Sequence, residues 1–129
     1  MNNTIKVSSC TNFRGVENVS KPCELHKKAE CKSEYIDLSN TYTQENIIDI
    51  LREAGTYNKP VYPCTYSIAY YPNSESLVIS NTNMTNDVTE INKDGTVRHC
   101  GSWHNKEVAQ GEKYTAIVND ALERIDVLD

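Results

Sequence analysis

Val88-Thr89-Glu90-Ile91-Asn92-Lys93-Asp94-Gly95-Thr96-Val97-Arg98-His99-Cys100 is the stretch that decides the fold. Two alternating runs, 88–92 and 96–100, flank Lys93-Asp94-Gly95. A three-residue loop with Gly95 in the left-handed conformation pairs Ile91 with Val97 and Glu90 with Arg98. One pair is apolar and the other is of opposite charge, so both cross-strand contacts are favourable in this register. The same register sends His99 and Cys100 to opposite faces of the sheet.

Upstream, the period stays at two. Cys64, Tyr66, Ile68 and Tyr70 share one face of a strand, with Thr65, Ser67 and Ala69 on the other. Pro72-Asn73-Ser74-Glu75 is turn chemistry, Leu77-Val78-Ile79 is the returning strand, and residues 81–86 are a polar loop. Thr4-Ile5-Lys6-Val7-Ser8 alternates as a short strand, and Tyr35-Ile36-Asp37-Leu38 reads as another.

Two segments carry the helical period instead. Ile47, Ile50, Leu51 and Ala54 fall on one face, widened by Ile48. Thr41 or Thr43 serves as N-cap, Gln44 stands three residues after Thr41 as in a capping box, and Gly55 sits at the C-terminal end. Near the end of the sequence, Tyr114, Ile117, Val118, Ala121, Leu122 and Ile125 keep i, i+3, i+4 spacing. Hairpins plus two helices without regular alternation predict an α+β domain, a small antiparallel sheet with both helices packed on one face.

The 129 residues suit a single domain, 1–129. Val, Ile, Leu and Phe total 27, or 21%, so the core is thin and finished with Tyr and Cys. Residues 10–34 are too poor in Leu, Ile and Val to bury a core of their own. They are expected as a Cys/His-rich loop lobe attached to an α+β body over 35–129.

That lobe carries Cys10, Cys23, His26 and Cys31, spaced C-x12-C-x2-H-x4-C. Three thiolates and an imidazole are a familiar donor set for structural zinc, and metal binding can order a segment with little apolar surface. Zinc is therefore the expected cofactor, against the alternative of free thiols and a surface His. A second Cys/His group, Cys64 with His99, Cys100 and His104, is a weaker metal set because His99 and Cys100 diverge. Cys64 with His99 or His104 as base is also the alternative catalytic reading, a small hydrolase or nuclease-like enzyme. No Walker loop, G-x-G-x-x-G, G-x-S-x-G or P-C-x-x-C occurs.

Charge narrows the partners. The net charge is −5, divided as +2 over residues 1–35 and −7 over 36–129. An acidic body argues against nucleic acid, whose binders need a basic face. Lys21, Lys27, Lys28 and Lys32 form a small basic lobe, read first as solvated loop charges. Eight Tyr stand against one Phe and one Trp. Tyr66 and Tyr70 belong to the core, while Tyr57, Tyr62, Tyr71 and the loop residue Trp103 are candidates for a recognition surface.

No run approaches the length of a bilayer span, so no membrane association is expected. The N-terminal residues lack the apolar stretch of a secretory signal, which predicts a cytoplasmic protein with reduced cysteines. In a secretory route the triplets at Asn2, Asn18 and Asn83 would matter, and disulfides would replace the metal. The expected function is a non-enzymatic binding protein whose partner is another protein or a small anionic ligand. Self-association is left open. The richness in Asn, Lys and Tyr is common in AT-rich genomes, and a phage- or mobile-element-encoded inhibitor of a host protein fits it.

Overall fold

Gly95 adopts φ 90°, and the loop it closes is the one the sequence predicts. Its amide donates to the Asn92 carbonyl at 2.9 Å, and the Asn92 amide donates to the Thr96 carbonyl at 2.9 Å. Asp94 Oδ1 accepts from the Thr96 amide at 2.9 Å and from its hydroxyl at 2.7 Å. These bonds hold the Asp94 carboxyl below the usual carboxylate range. Ile91 pairs with Val97 and Glu90 with Arg98, as expected.

The computed structural model describes residues 4–10, 24–31, 33–54, 65–81, 88–100, 106–109 and 113–128. At 4–10, 26, 30, 106–109, 113–115 and 126–128 it describes the backbone alone. In chain order the elements are β1 (Thr4–Cys10), α1 (Glu24–Glu30), β2 (Ile36–Asp37), α2 (Gln44–Glu53) and β3 (Tyr66–Tyr71). They continue as β4 (Ser76–Asn81), β5 (Val88–Asn92), β6 (Val97–Cys100), β7 (Lys106–Ala109) and α3 (Lys113–Leu128). The strands form one sheet in the order β2-β3-β4-β5-β6-β1-β7.

The run from β2 to β6 is antiparallel throughout. β1 then lies parallel to β6, and β7 antiparallel to β1. The sheet is therefore mixed at one side, where a wholly antiparallel sheet was expected. Alternation in β1 indicates a strand but not its neighbour, and β6 is some ninety residues away in sequence. β7, with Val108 and Ala109 its only apolar residues, gives too weak an alternation to be read as a strand.

One face of the sheet presents Tyr66, Ile68 and Tyr70 of β3, Leu77 and Ile79 of β4, Ile91 and Val97. Ile47, Ile50, Leu51 and Ala54 from the α2 segment pack on it, with Val118 and Ala121 of α3. This is the two-helix face the sequence predicts. Thr43 is the N-cap of α2, accepting from the Asn46 amide at 3.1 Å. A side-chain clasp joins the start of α2 to α3. The Tyr42 hydroxyl donates to Asp120 Oδ2 at 2.7 Å, Arg124 Nε donates to the same oxygen at 2.8 Å, and the guanidinium lies 4.8 Å over the Tyr42 ring.

The opposite face is covered as well. Tyr71, Val78, Val88 and Cys100 form a second apolar cluster with Leu25 of α1. Residues 24–30, expected within a loop lobe, are thus a helix that lies on the sheet. β4 records the two-sided cover directly, with Leu77, Val78 and Ile79 all buried. Among the described residues no helix is long and apolar enough to cross a membrane.

Any residue other than glycine at position 95 must take a positive φ. G95A is expected to lower the free energy of unfolding by about 1–2 kcal/mol with an unchanged urea m-value. A variant as stable as the parent in urea melts would contradict the turn described.

Candidate functional site

Helix α1 has seven residues, too few to persist alone in water. Glu24 lies near its positive N-terminal end, and Lys27 and Lys28 near its negative C-terminal end, a favourable but small contribution. Its position is fixed by what it touches. Leu25 is 2% exposed, and burying such a side chain is worth about 1.5–3 kcal/mol. Lys28 contributes the directional part of the contact.

The Lys28 ammonium has three protons and three acceptors. Nζ donates to Glu90 Oε2 at 2.6 Å, to Ser74 Oγ at 2.6 Å and to Ser76 Oγ at 2.8 Å. It also sits 4.6 Å from the centre of the Tyr71 ring. The Glu90 carboxylate is 5% exposed and collects Lys28 together with Ser76 Oγ at 3.2 Å and Arg98 Nη1 at 3.4 Å. Arg98 in turn reaches Glu24 at 3.8 Å. A carboxylate buried this far is stable only when paired and hydrogen-bonded, and both conditions are met.

Tyr71 closes the helix from below. Its hydroxyl donates to the Lys28 carbonyl and, at 3.4 Å, to the Cys31 carbonyl, two acceptors at the end of α1. The ring packs against Tyr35 with centroids 5.6 Å apart. Burial, with negative charge at Cys31, Tyr35, Glu34 and Glu90 adding to it, pushes the Tyr71 phenol up to about 12. The phenol thus stays a neutral donor at physiological pH.

A groove of about 360 Å³ opens between the end of α1 and the β3–β4 turn. Lys27, Cys31, Glu34, Asn73 and Ser74 form its rim, with Tyr71 and the Lys28 stem inside. Cys31 has a free thiol, part-exposed, with Sγ 3.9 Å from Ser33 Oγ. The turn that forms one wall is held by the Glu75 amide donating to the Pro72 carbonyl at 3.3 Å, with Glu75 at φ 51°. A cavity of about 60 Å³ lies behind Tyr71, lined by Ala29, Tyr35, Ser67 and Ser80 among others.

The structure distributes the residues singled out in the sequence as follows. Tyr71, expected on a recognition surface, is only 4% exposed, because its hydroxyl and ring are both engaged beneath α1. Lys28, expected as a solvated loop charge, is held in the Glu90 pair because it lies three residues after Leu25, on the same flank of α1. His99 and Cys100 do face opposite sides. His99 is 3% exposed with Nδ1 2.8 Å from Thr89 Oγ1, on the side of Val97, whereas Cys100 joins the Leu25 cluster.

Cys10 and Cys31 are well separated. Cys10 is in register with Cys100, while Cys31 is tied to Tyr71 on β3, four strand spacings of about 4.8 Å from β1. Cys23, Tyr57, Tyr62, Cys64, Trp103 and His104 lie outside the described residues, as do the side chains of Cys10 and His26. Among the described residues no three of His, Cys, Asp or Glu converge on a metal-sized point. Sequence reasoning missed Glu90 as the anchor of α1 and Asn73 and Ser74 as a wall of the groove. The signal was available for Glu90, since Thr89, Glu90 and Ile91 on a central strand point to both faces, and both are covered.

No protein family, no curated protein and no solved structure matches the chain.

The phenol of Tyr71 has a folded pKa above its unfolded value. Its contribution to stability is complete below pH 10 and is lost as pH rises toward about 12. Y71F should therefore be less stable than the parent at pH 8 but show a shallower loss of stability between pH 9 and 11, read from urea melts. Tyr42, also raised by burial, keeps part of the slope in both proteins. Parallel pH profiles for the two proteins would show that Tyr71 is not the buried donor described.

Proposed function

We propose that the chain is a small non-enzymatic binding protein and that the groove at the end of α1 receives a segment of a partner protein. The observation that carries this reading is the composition of the groove on a fixed frame. Tyr71 and the Lys28 stem form an apolar interior, and Lys27, Glu34, Asn73 and Ser74 form a polar rim, the arrangement of an interface core and its edge. Lys28 is neutralised by Glu90, and Glu34 stands on the rim with Lys27. With no net positive field in the groove, a polypeptide of mixed polarity suits it better than a small anion. Such a module fits an intracellular inhibitor that occupies a host protein, of the kind phages and mobile elements encode.

The Cys/His enzyme reading receives less support. Of Cys64, His99 and His104, only His99 is among the described residues, and its ring is buried against Thr89 beneath the helices of the other face. A general base needs hydrogen-bond reach to a substrate proton.

A photoreactive amino acid placed at Asn73, on the rim, is compared with one at Lys93, on the β5–β6 turn. Irradiation in extract of the cells that make the protein is expected to give one defined adduct from position 73 and none from 93. Adducts of equal yield from both positions, or none from 73, would contradict the proposal.

A further inference from the structure

We propose that the cavity behind Tyr71 binds the ammonium end of an unbranched alkylamine, with the Asp37 carboxylate as its counter-charge. The site is separate from the groove, because among the described residues only Tyr71 lines both.

Strand register puts the polar groups on one face. Asp37 is paired with Ala69, and Ala69 with Val78, so the three stand in one row across β2, β3 and β4. Val78 belongs to the apolar cluster with Leu25, which identifies that face as the one beneath α1. Ser67 and Ser80 are paired with each other two residues away from Ala69 and Val78, hence on the same side. Their hydroxyls are 3.1 Å apart, so one donates to the other. The space between helix and sheet exists because Ala29, Ala69 and the two serines are small. Packed layers rarely leave a void larger than a water, and one edged by a carboxylate is a candidate binding site.

The lining selects the charge of the occupant. Asp37 is the one ionised side chain among the described residues that line the cavity. Its Oδ1 accepts from the Ser39 amide at 2.9 Å and from the Ser39 hydroxyl at 2.6 Å, while Oδ2 accepts from no described residue. An anion would meet this carboxylate with no cation to offset it, since Lys28 is held by Glu90 and lines the groove instead. An ammonium carries three protons, for which the free carboxylate oxygen and the serine hydroxyls are acceptors. The Ala, Val and Tyr surface beside them suits methylene groups better than the water shell of a metal ion, and tyrosine rings favour a neighbouring cation.

Size sets the shape of the ligand. A cavity of about 150 Å³ takes benzene, so one of about 60 Å³ takes roughly two or three heavy atoms. That is the nitrogen and its nearest methylenes. Asp37 is exposed, so the cavity reaches solvent beside it and the remaining chain leaves there. A free diamine and a lysine side chain of another protein share this end.

The test is titration of the isotope-labelled full chain with n-butylammonium chloride at physiological salt, followed in amide NMR spectra. Saturable shifts are expected at Asp37, Ser67, Ala69 and Ser80, with a Kd of about 1 mM or weaker for so small an anchored group. n-Butanol, of the same length but uncharged, is expected to bind at least about tenfold more weakly, and D37N to weaken n-butylammonium by a similar factor. Butyrate is expected not to bind, and A69V, which fills the floor, to abolish amine binding. Should a variant fail to fold, the amine, alcohol and acid compared on the parent protein decide the matter. Putrescine and Nα-acetyl-lysine amide separate the two sources, the tighter of them assigning the site to a free diamine or to a protein lysine. Equal affinity for n-butanol, undiminished binding in D37N or A69V, or shifts that spread over exposed acids such as Glu45 and Glu123 without saturating would each overturn the proposal.

Discussion

The Glu90 carboxylate is the constraint on which the second layer of this protein depends. It lies on a central strand, on the face opposite the main core, where an unpaired charge would cost several kcal/mol. Lys28 is the group that makes its burial tolerable, and Lys28 comes from a helix too short to form by itself. The dependence is mutual: the carboxylate needs the helix, and among the described residues the helix buries Leu25 with the partly buried Ala29 and relies on Lys28 for its directional contact with the sheet. The Tyr71 phenol then takes two carbonyls at the helix end, and the groove follows from the position in which α1 stops.

The two faces of the sheet are held by different physics. Between the sheet and α2 and α3 lie Ile, Leu, Val and Ala, an area-driven contact that tolerates volume-conserving exchange. Under α1 the apolar cluster is small and the hydrogen bonds are many, so position is set by direction more than by area. A surface of the second kind presents side chains at fixed angles, which a recognition site requires. Lys27, Asn73 and Ser74 owe their placement to this arrangement.

Much of the main core was legible in the amino-acid sequence because it is local. Ile91 against Val97, the alternation of Tyr66, Ile68 and Tyr70, and the Ile47–Ile50–Leu51–Ala54 stripe are each set by neighbours a few residues away. The unread parts are long-range or polar. Nothing in Thr4-Ile5-Lys6-Val7 indicates that β1 pairs with β6 in parallel. Helix α1 escaped because Lys28 occupies an inward position, which a count of apolar residues scores as outward. One clue was present and unused: the unbroken Leu77-Val78-Ile79 requires cover on both faces of β4 and so implies a further element over the second face. The site was less legible than the fold. Tyr71 was singled out for its chemistry, but its role under α1 depends on residues forty positions away.

A double-mutant cycle between Lys28 and Glu90, with K28M, E90Q and K28M/E90Q followed by urea unfolding, tests the central claim most directly. The buried pair predicts that each single change destabilises, and that the double variant is more stable than the sum of the two losses implies by about 1–3 kcal/mol. Losses that add to within about 0.5 kcal/mol would show that the two groups do not support each other, and that α1 is held to the sheet by something else.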